Sequence, residues 1–226
     1  MVISIVNGSP RINGSTAKIL KEIADYLSQK SGITIKYFDL AKYDMEFCKG
    51  CAGCDRTGEC AIPDDGIEGI LKEMKNSDGI VLGSPCYVSN VTGQLKAFFD
   101  RAHIFIIEQT LTNKYGYAVS TYETTDGNKT IKIINNFFLV SGASRRGSFL
   151  LKLDYDSDPF GREKVRQRLH KGVEKFYQAV KSKEKRSLFE YIFSKVLINL
   201  FFKPFYRKHP EKYGRVLKMW EEKGIK

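Results

Sequence analysis

Four closely spaced cysteines are the residues of this sequence best suited to chemistry. They are Cys48, Cys51, Cys54 and Cys60, and they follow a C-x2-C-x2-C-x5-C pattern that holds four of the chain's five cysteines. Thiolates with this spacing on a glycine-bearing loop can converge on one centre, as an iron–sulfur cubane requires. Two alternatives stay open: a zinc site, which usually has two pairs with a longer spacer, and a cysteine loop that binds no metal.

A second set of polar residues follows the first apolar run of the chain, in the stretch Gly8-Ser9-Pro10-Arg11-Ile12-Asn13-Gly14-Ser15-Thr16. Loop amides, hydroxyls, a helix N-terminus and the charge of Arg11 together offer many donors to an anion. Neither G-x-x-x-x-G-K-[ST] nor G-x-G-x-x-G is present. The simpler alternative is a helix cap by Ser15 or Thr16, but the position after the first strand favours a phosphate site.

Alternating strands and helices position both sets of residues. Hydrophobic periodicity predicts strands over 2–6, 34–38, 79–82, 114–120 and 137–141, and helices over 15–29, 65–76, 92–107, 130–136 and 162–179. Pro63-Asp64-Asp65 signals the start of the second helix. This order predicts a flavodoxin-like three-layer α/β/α sandwich with a five-stranded parallel sheet, in which ligands bind at the carboxyl ends of the strands.

The chain divides by composition into a domain at 1–180, with a cysteine-loop insertion at 46–62, and a helical extension at 181–226. The extension holds 13 Lys or Arg against 5 Glu and therefore most of the net charge of +11. Its apolar run at 188–202 is too short to span a bilayer. Basic flanks around this run predict packing against another subunit or the core, or peripheral membrane contact through residues 188–206.

The start of the chain and its cysteine usage indicate a compartment. Residues 1–6 lack a basic n-region and a cleavage site, so a cytoplasmic location is expected. Cysteines there rarely form structural disulfides, which favours metal binding or redox chemistry. The extension shows no helix-turn-helix signature, and no nucleic-acid partner is expected.

Two loops resemble the flavodoxin-like NAD(P)H-dependent FMN reductase superfamily. Residues 8–16 match its G-S-P-R-x-x-G-x-T pattern, and residues 83–101 are similar to its S-P-x-Y loop and L-K-x-F-x-D-R helix. The resemblance implies that the FMN phosphate is bound by Ser9, Arg11, Gly14, Ser15 and Thr16. It implies that the isoalloxazine is flanked by Ser84, Pro85, Cys86, Tyr87 and Val88. Cys86 is either a small packing residue or a redox participant.

Within that superfamily, the four cysteines resemble the motif of the iron–sulfur flavoproteins, which carry one [4Fe-4S] cluster and one FMN per subunit. The resemblance covers residues 1–105 strongly and 106–180 weakly, and it does not reach 186–226. It implies an FMN-dependent oxidoreductase that passes electrons between flavin and cluster, without a side-chain acid or base. The sequence leaves the electron donor and acceptor open; ferredoxin and NAD(P)H are two possible donors.

Further expectations concern assembly and the remaining polar segments. The cysteine loop is too short to shield a cluster by itself, so we expect a dimer or tetramer. Residues 121–127 either border the flavin or form a solvent-exposed turn, and Lys96, Asp100 and Arg101 form a solvated or salt-bridged helix face. Two other functions remain: an NAD(P)H-dependent FMN or quinone reductase without a cluster, and a redox sensor that binds nucleic acid or lipid through its basic tail.

Overall fold

Five parallel strands form one sheet in the computed structural model, which describes residues 1–62, 65–155 and 157–222. The expected helix start at Pro63 and Asp64 lies outside the described residues. The strands are β1 Val2–Asn7, β2 Thr34–Asp39, β3 Gly79–Pro85, β4 Tyr115–Tyr122 and β5 Ser144–Lys152. Their order is β2-β1-β3-β4-β5, and every pair is parallel. The winding reverses between β1 and β3, where open α/β sheets bind ligands.

Helices cover both faces of the sheet. One face carries α1 Ser15–Ser28 and α7 Glu163–Lys181, and the other carries α3 Ile67–Asn76, α4 Gly93–Arg101, α5 His103–Glu108 and α6 Gly127–Val140. Side chains of β1 alternate between the two cores, since Ile3 and Ile5 face α1 and α7 while Val6 faces the other layer. Burial on both faces explains the nearly continuous apolar runs of the central strands. The predicted three-layer sandwich is confirmed.

The predicted fifth strand at 137–141 is wrong, because residues 137–140 complete α6. Thr130, Ile134, Phe137 and Phe138 are buried at helical spacing, so the short apolar run belongs to a longer amphipathic helix. The helix ends before Gly142, whose φ of +95° suits a glycine. The strand follows at Ser144–Lys152, where arginine, serine and glycine weaken its strand signal.

The predicted helix at 92–107 is two helices, because α4 ends at Arg101 and α5 begins at His103. Thr92 caps the first of them by accepting a hydrogen bond from the Leu95 amide. The cysteine loop also contains one helical turn that periodicity did not predict, α2 Gly53–Thr57.

The C-terminal extension is helical, as predicted. It comprises α8 Leu188–Val196, a π-helical turn Leu197–Phe202, α9 Lys203–Arg207 and α10 Pro210–Glu222. The last helix returns to pack on α2 and α5 in a third apolar cluster, formed by Ile107, Ile198, Tyr206, Tyr213, Val216 and Trp220. The Trp220 Nε1 donates to the Ile107 carbonyl at 2.9 Å. No helix in the described ranges is long and apolar enough to cross a membrane.

Candidate cofactor sites

One crevice at the carboxyl edge of the sheet gathers residues that follow four of the strands. Its lining is Ser9, Arg11, Ser15, Thr16, Pro85, Cys86, Tyr87, Thr121, Tyr122, Glu123, Leu153, Asp154 and Tyr155. The two loops singled out in the sequence therefore meet in space. Parallel pairing produces this meeting, since it places the ends of β1, β3, β4 and β5 at the same edge.

The first loop has the features of a phosphate site. Helix α1 begins after Gly14, an N-cap residue that has no side chain to cap the first turn, and Ser15 and Thr16 of that turn line the crevice. The leading amides of the helix therefore lie at the crevice. Ser9 and Thr16 are buried, and the Thr16 Oγ1 lies 2.7 Å from the Thr121 Oγ1. The Arg11 guanidinium stacks over the Tyr155 ring at 4.9 Å. Amides, hydroxyls and a cation suit a phosphate dianion, so the residues fit the phosphate of FMN.

A glycine is required at the start of this loop. A Cβ at Gly8 would lie 2.7 Å from the Leu95 Cβ and 3.0 Å from the Gly83 carbonyl oxygen. The Gly8 amide donates to that same carbonyl at 2.8 Å, which joins the loop to the end of β3. This close approach fixes the distance between the two cofactor loops.

The second loop makes a tight turn over the crevice. Tyr87 and Asn90 exchange two backbone hydrogen bonds at 2.9 and 3.0 Å, and Val88 and Ser89 between them both have positive φ. The Cys86 amide donates to the Thr121 carbonyl at 2.7 Å. Tyr87 is exposed at the crevice, where an aromatic ring could stack on a planar ligand.

The remaining predicted residues of this loop lie next to the lining. Ser84 is buried, and its hydroxyl donates to the Pro85 carbonyl at 2.8 Å and accepts from the Thr92 amide at 3.0 Å. Val88 is 99% exposed at the tip of the turn. The assignment of these side chains to a bound flavin stays a prediction.

Sequence reasoning missed the crevice residues Leu153, Asp154 and Tyr155. They follow β5, which lies at Ser144–Lys152 and not at the predicted 137–141. The wrong strand position therefore concealed that these residues lie at the edge of the sheet. The apolar run at 149–151 was the available signal. Of the polar segment at 121–127, Thr121, Tyr122 and Glu123 line the crevice.

A buried ion pair ties both ends of the cysteine loop to the domain. Arg101 donates to Asp65 through Nη1 at 2.5 Å and through Nη2 at 3.2 Å, and its Nη1 also donates to the Glu46 carbonyl. Asp65 accepts the amides of Glu46 and Ile67. Burial opposes ionisation of Asp65, but these contacts hold the pKa of its carboxyl below the usual value. Lys96 and Asp100 form the exposed ion pair of the predicted helix face.

All five cysteines lie in the described part of the chain, and none of them forms a disulfide. Cys48 and Cys51 are exposed, whereas Cys54 and Cys60 are partly buried. Burial, followed by the charge of Asp55, raises the pKa of the Cys54 thiol to about 11. Within the described residues, no group of three His, Cys, Asp or Glu side chains is placed to hold a metal ion. Four thiols on one short loop have the donor chemistry of a cubane, but their side chains are not converged.

Helix α10 holds the centre of the cysteine loop. Arg215 donates to the Cys54 carbonyl through Nη2 and to the Asp55 carbonyl through Nε, both at 3.2 Å. Its Nη1 donates to the Glu108 carboxylate on α5 at 2.6 Å. Its guanidinium also lies 3.1 Å from the point where a Cβ at Gly58 would be, so the contact is close-packed. The extension therefore fixes α2 against α5.

Comparison with known proteins identifies the family. The profile of the NADPH-dependent FMN reductases matches residues 1–146. An iron–sulfur flavoprotein of Clostridioides difficile is 36% identical over 226 residues, which cover all of both chains. The chain belongs to the iron–sulfur flavoproteins. A second one, from Methanocaldococcus jannaschii, is 39% identical over 60% of this chain and 70% of its own. The family assignment establishes an FMN-binding flavin oxidoreductase.

Solved structures confirm the fold of this family member. An NADH:FMN oxidoreductase aligns with a TM-score of 0.60 at 17% identity, over 79% of this chain and 89% of its own. A flavodoxin from Streptococcus pneumoniae aligns with a TM-score of 0.55 at 14% identity, over 79% and 99%. Because the sequence identities are low, these similarities concern the fold alone.

Proposed function

We propose that this flavoprotein pairs FMN in the crevice with a [4Fe-4S] cluster held by Cys48, Cys51, Cys54 and Cys60, and passes electrons between them. The observation that carries the proposal is that one chain combines a crevice fitted for FMN with a separate four-cysteine loop, which Arg101 and Arg215 hold in place. Relatives named iron–sulfur flavoproteins support the cluster, and the one from C. difficile matches the chain over its whole length.

The crevice residues would bind and orient the flavin. The α1 N-terminus, Ser9, Arg11 and Thr16 would hold the phosphate, while Tyr87 and the backbone after β3 would orient the ring. FMN exchanges electrons singly or as a pair, and a cubane exchanges one at a time, so together they convert between donor types. No crevice side chain is assigned a proton-transfer role.

Cofactor analysis of anaerobically purified protein tests this proposal. We expect one FMN per chain with about four iron and four sulfide ions, and a broad visible shoulder beside the flavin bands. Cys51→Ser should lose iron while retaining FMN. The control Cys86→Ser removes a thiol outside the cysteine loop and should retain iron. Full FMN without iron or sulfide, before and after anaerobic reconstitution, would contradict the cluster.

An FMN or quinone reductase without a cluster is the second candidate. It is favoured by the match of residues 1–146 to the NADPH-dependent FMN reductases. Turnover of NADPH with FMN or quinone at the same rate in wild type and Cys51→Ser would support it. If Cys51→Ser lost turnover with ferredoxin but kept turnover with NADPH, the result would support the cluster-containing form instead.

We also infer that the protein acts as a dimer or tetramer. None of the four loop cysteines is among the residues that line the described crevice, which favours approach of one subunit's cluster to a neighbour's flavin. Sedimentation of the fully loaded protein gives the assembly state. Mixed oligomers would combine Cys51→Ser, which lacks the cluster, with a variant that does not bind FMN. Electron transfer between their subunits should restore activity.

A further inference from the structure

The outer face of the C-terminal extension is apolar along a continuous helical run. From Leu188 to Arg207, helices α8 and α9 and the π-turn between them expose large apolar side chains to solvent. Leu188 is 73% exposed and Leu200 is 67% exposed. We define the tail face as Leu188, Phe189, Ile192, Val196, Leu200, Phe201 and Phe205. Contiguous patches of this kind mark interaction sites.

The inner face of the first helix of this run is held by polar contacts. Glu190 is buried, and its carboxylate accepts from the Arg145 Nε at 2.8 Å and from the Arg145 amide at 3.1 Å. The buried Ser194 hydroxyl accepts from the Arg186 Nη2 at 2.8 Å. A surface helix usually turns its apolar side to the core. This helix has the reverse orientation, so the outward position of the apolar side chains is fixed by hydrogen bonds and an ion pair.

The charges around the tail face select its partner. Lys195, Lys203, Arg207 and Lys208 lie on this segment, and Glu190 is the only acid between residues 188 and 210. Since Glu190 is buried against Arg145, the exposed charges of the segment are positive. Two copies joined through this face would bring cations together, whereas an anionic bilayer surface complements them.

We propose that the tail face docks on an anionic membrane surface, with its apolar side chains at the boundary between headgroups and acyl chains. Helices with apolar and basic residues bind in this way without spanning the bilayer. The Lys195 ammonium lies 5.1 Å from the Tyr191 ring, so a cation and an aromatic ring already share the rim of the face. Docking would hold the flavin domain at the membrane surface.

Vesicle flotation tests this docking with the full-length, cofactor-loaded protein. We expect co-flotation with vesicles of phosphatidylcholine and phosphatidylglycerol, and at least ten-fold less with phosphatidylcholine alone. The double variant Leu200→Asn/Phe201→Asn alters only exposed side chains and should lose at least ten-fold in partitioning. Lys195→Gln and Lys208→Gln should each lose roughly five-fold, and salt at about 1 M should weaken wild-type binding.

The control is Phe47→Ser, which removes an exposed aromatic residue outside the tail face and should float like the wild type. Equal partitioning of wild type and Leu200→Asn/Phe201→Asn would overturn the proposal. So would absence of wild-type flotation together with dissociation of the oligomer by the same double variant, since that result would make the face a subunit interface.

Discussion

The hydroxyls of Thr16 and Thr121 form a buried pair at the crevice, 2.7 Å apart. Thr16→Val removes a donor that would serve the phosphate, and we expect the FMN Kd to rise about ten-fold, because a hydrogen bond to a charged group contributes about 1.5 kcal/mol. Fluorescence titration of the apoprotein with FMN measures this. Ser4→Ala breaks a buried hydroxyl pair of the same length at Ser77, outside the crevice, and should leave the Kd unchanged. An equal rise in both variants would contradict the assignment.

Val88 lies in an unfavourable backbone conformation. Its φ of +49° and that of Ser89, +61°, match a type I′ turn, which favours Asn and Gly over a β-branched residue. The Val88 side chain is 99% exposed, so little packing is lost on replacement. Val88→Asn should raise the free energy of unfolding by about 1 kcal/mol, measured by urea denaturation. Val88→Thr keeps the β-branch and should show no gain; an equal gain would refute the strain argument.

At the scale of elements, the cysteine loop depends on a helix more than 150 residues further along the chain, through Arg215 and the carbonyls of Cys54 and Asp55. Arg215→Met should lower the free energy of unfolding by about 1 kcal/mol, because a part-buried network loses a charged donor. Amide hydrogen exchange over residues 53–58 should accelerate. Lys218→Met changes an exposed cation on the same helix and should affect neither quantity. Unchanged exchange in Arg215→Met would show that α2 is ordered without α10.

Elements were predictable where their periodicity was strong. Helix α1, with Ile19, Ile23 and Leu27 on one face, begins at the predicted residue, and strands β1 to β4 lie at their predicted positions. The end of α6 and the start of β5 were not predictable, because an apolar run of four residues has no period of its own. Tertiary packing decided between helix and strand, through burial of Phe137 and Phe138 beside Ile134.

At the scale of the molecule, Glu174 on α7 contacts Tyr26 of α1 and Lys30, which follows that helix. The hydrogen bonds from Lys30, Gln178 and Tyr26 lower the pKa of Glu174 from 4.5 to about 2. A folded-state pKa below the unfolded value means that the stabilisation is present above about pH 4.5 and is lost as the pH falls towards 2.

Glu174→Gln should therefore lower the free energy of unfolding at pH 7, by about 1 kcal/mol for a part-exposed pair. The difference from wild type should vanish as the pH falls towards 2. Denaturant unfolding at several pH values measures it. Asp25→Asn, which replaces an exposed carboxylate of α1, should show a smaller difference at pH 7. A difference for Glu174→Gln that does not change with pH would exclude the charged carboxylate as its source.

The sequence by itself determined four of the five strands, the cysteine motif and the two loops that resemble FMN reductases, because these depend on local spacing and on the rule that parallel strands end at one edge. Only the tertiary structure decided how the distant parts meet. It added Tyr155 to the crevice, placed Arg215 on the cysteine loop and turned the apolar side of α8 outward. These contacts join residues far apart in the chain, and local propensity carries no information about such partners. The inward side of α8 was set by the ion pair of Glu190 with Arg145, which no helical period reveals.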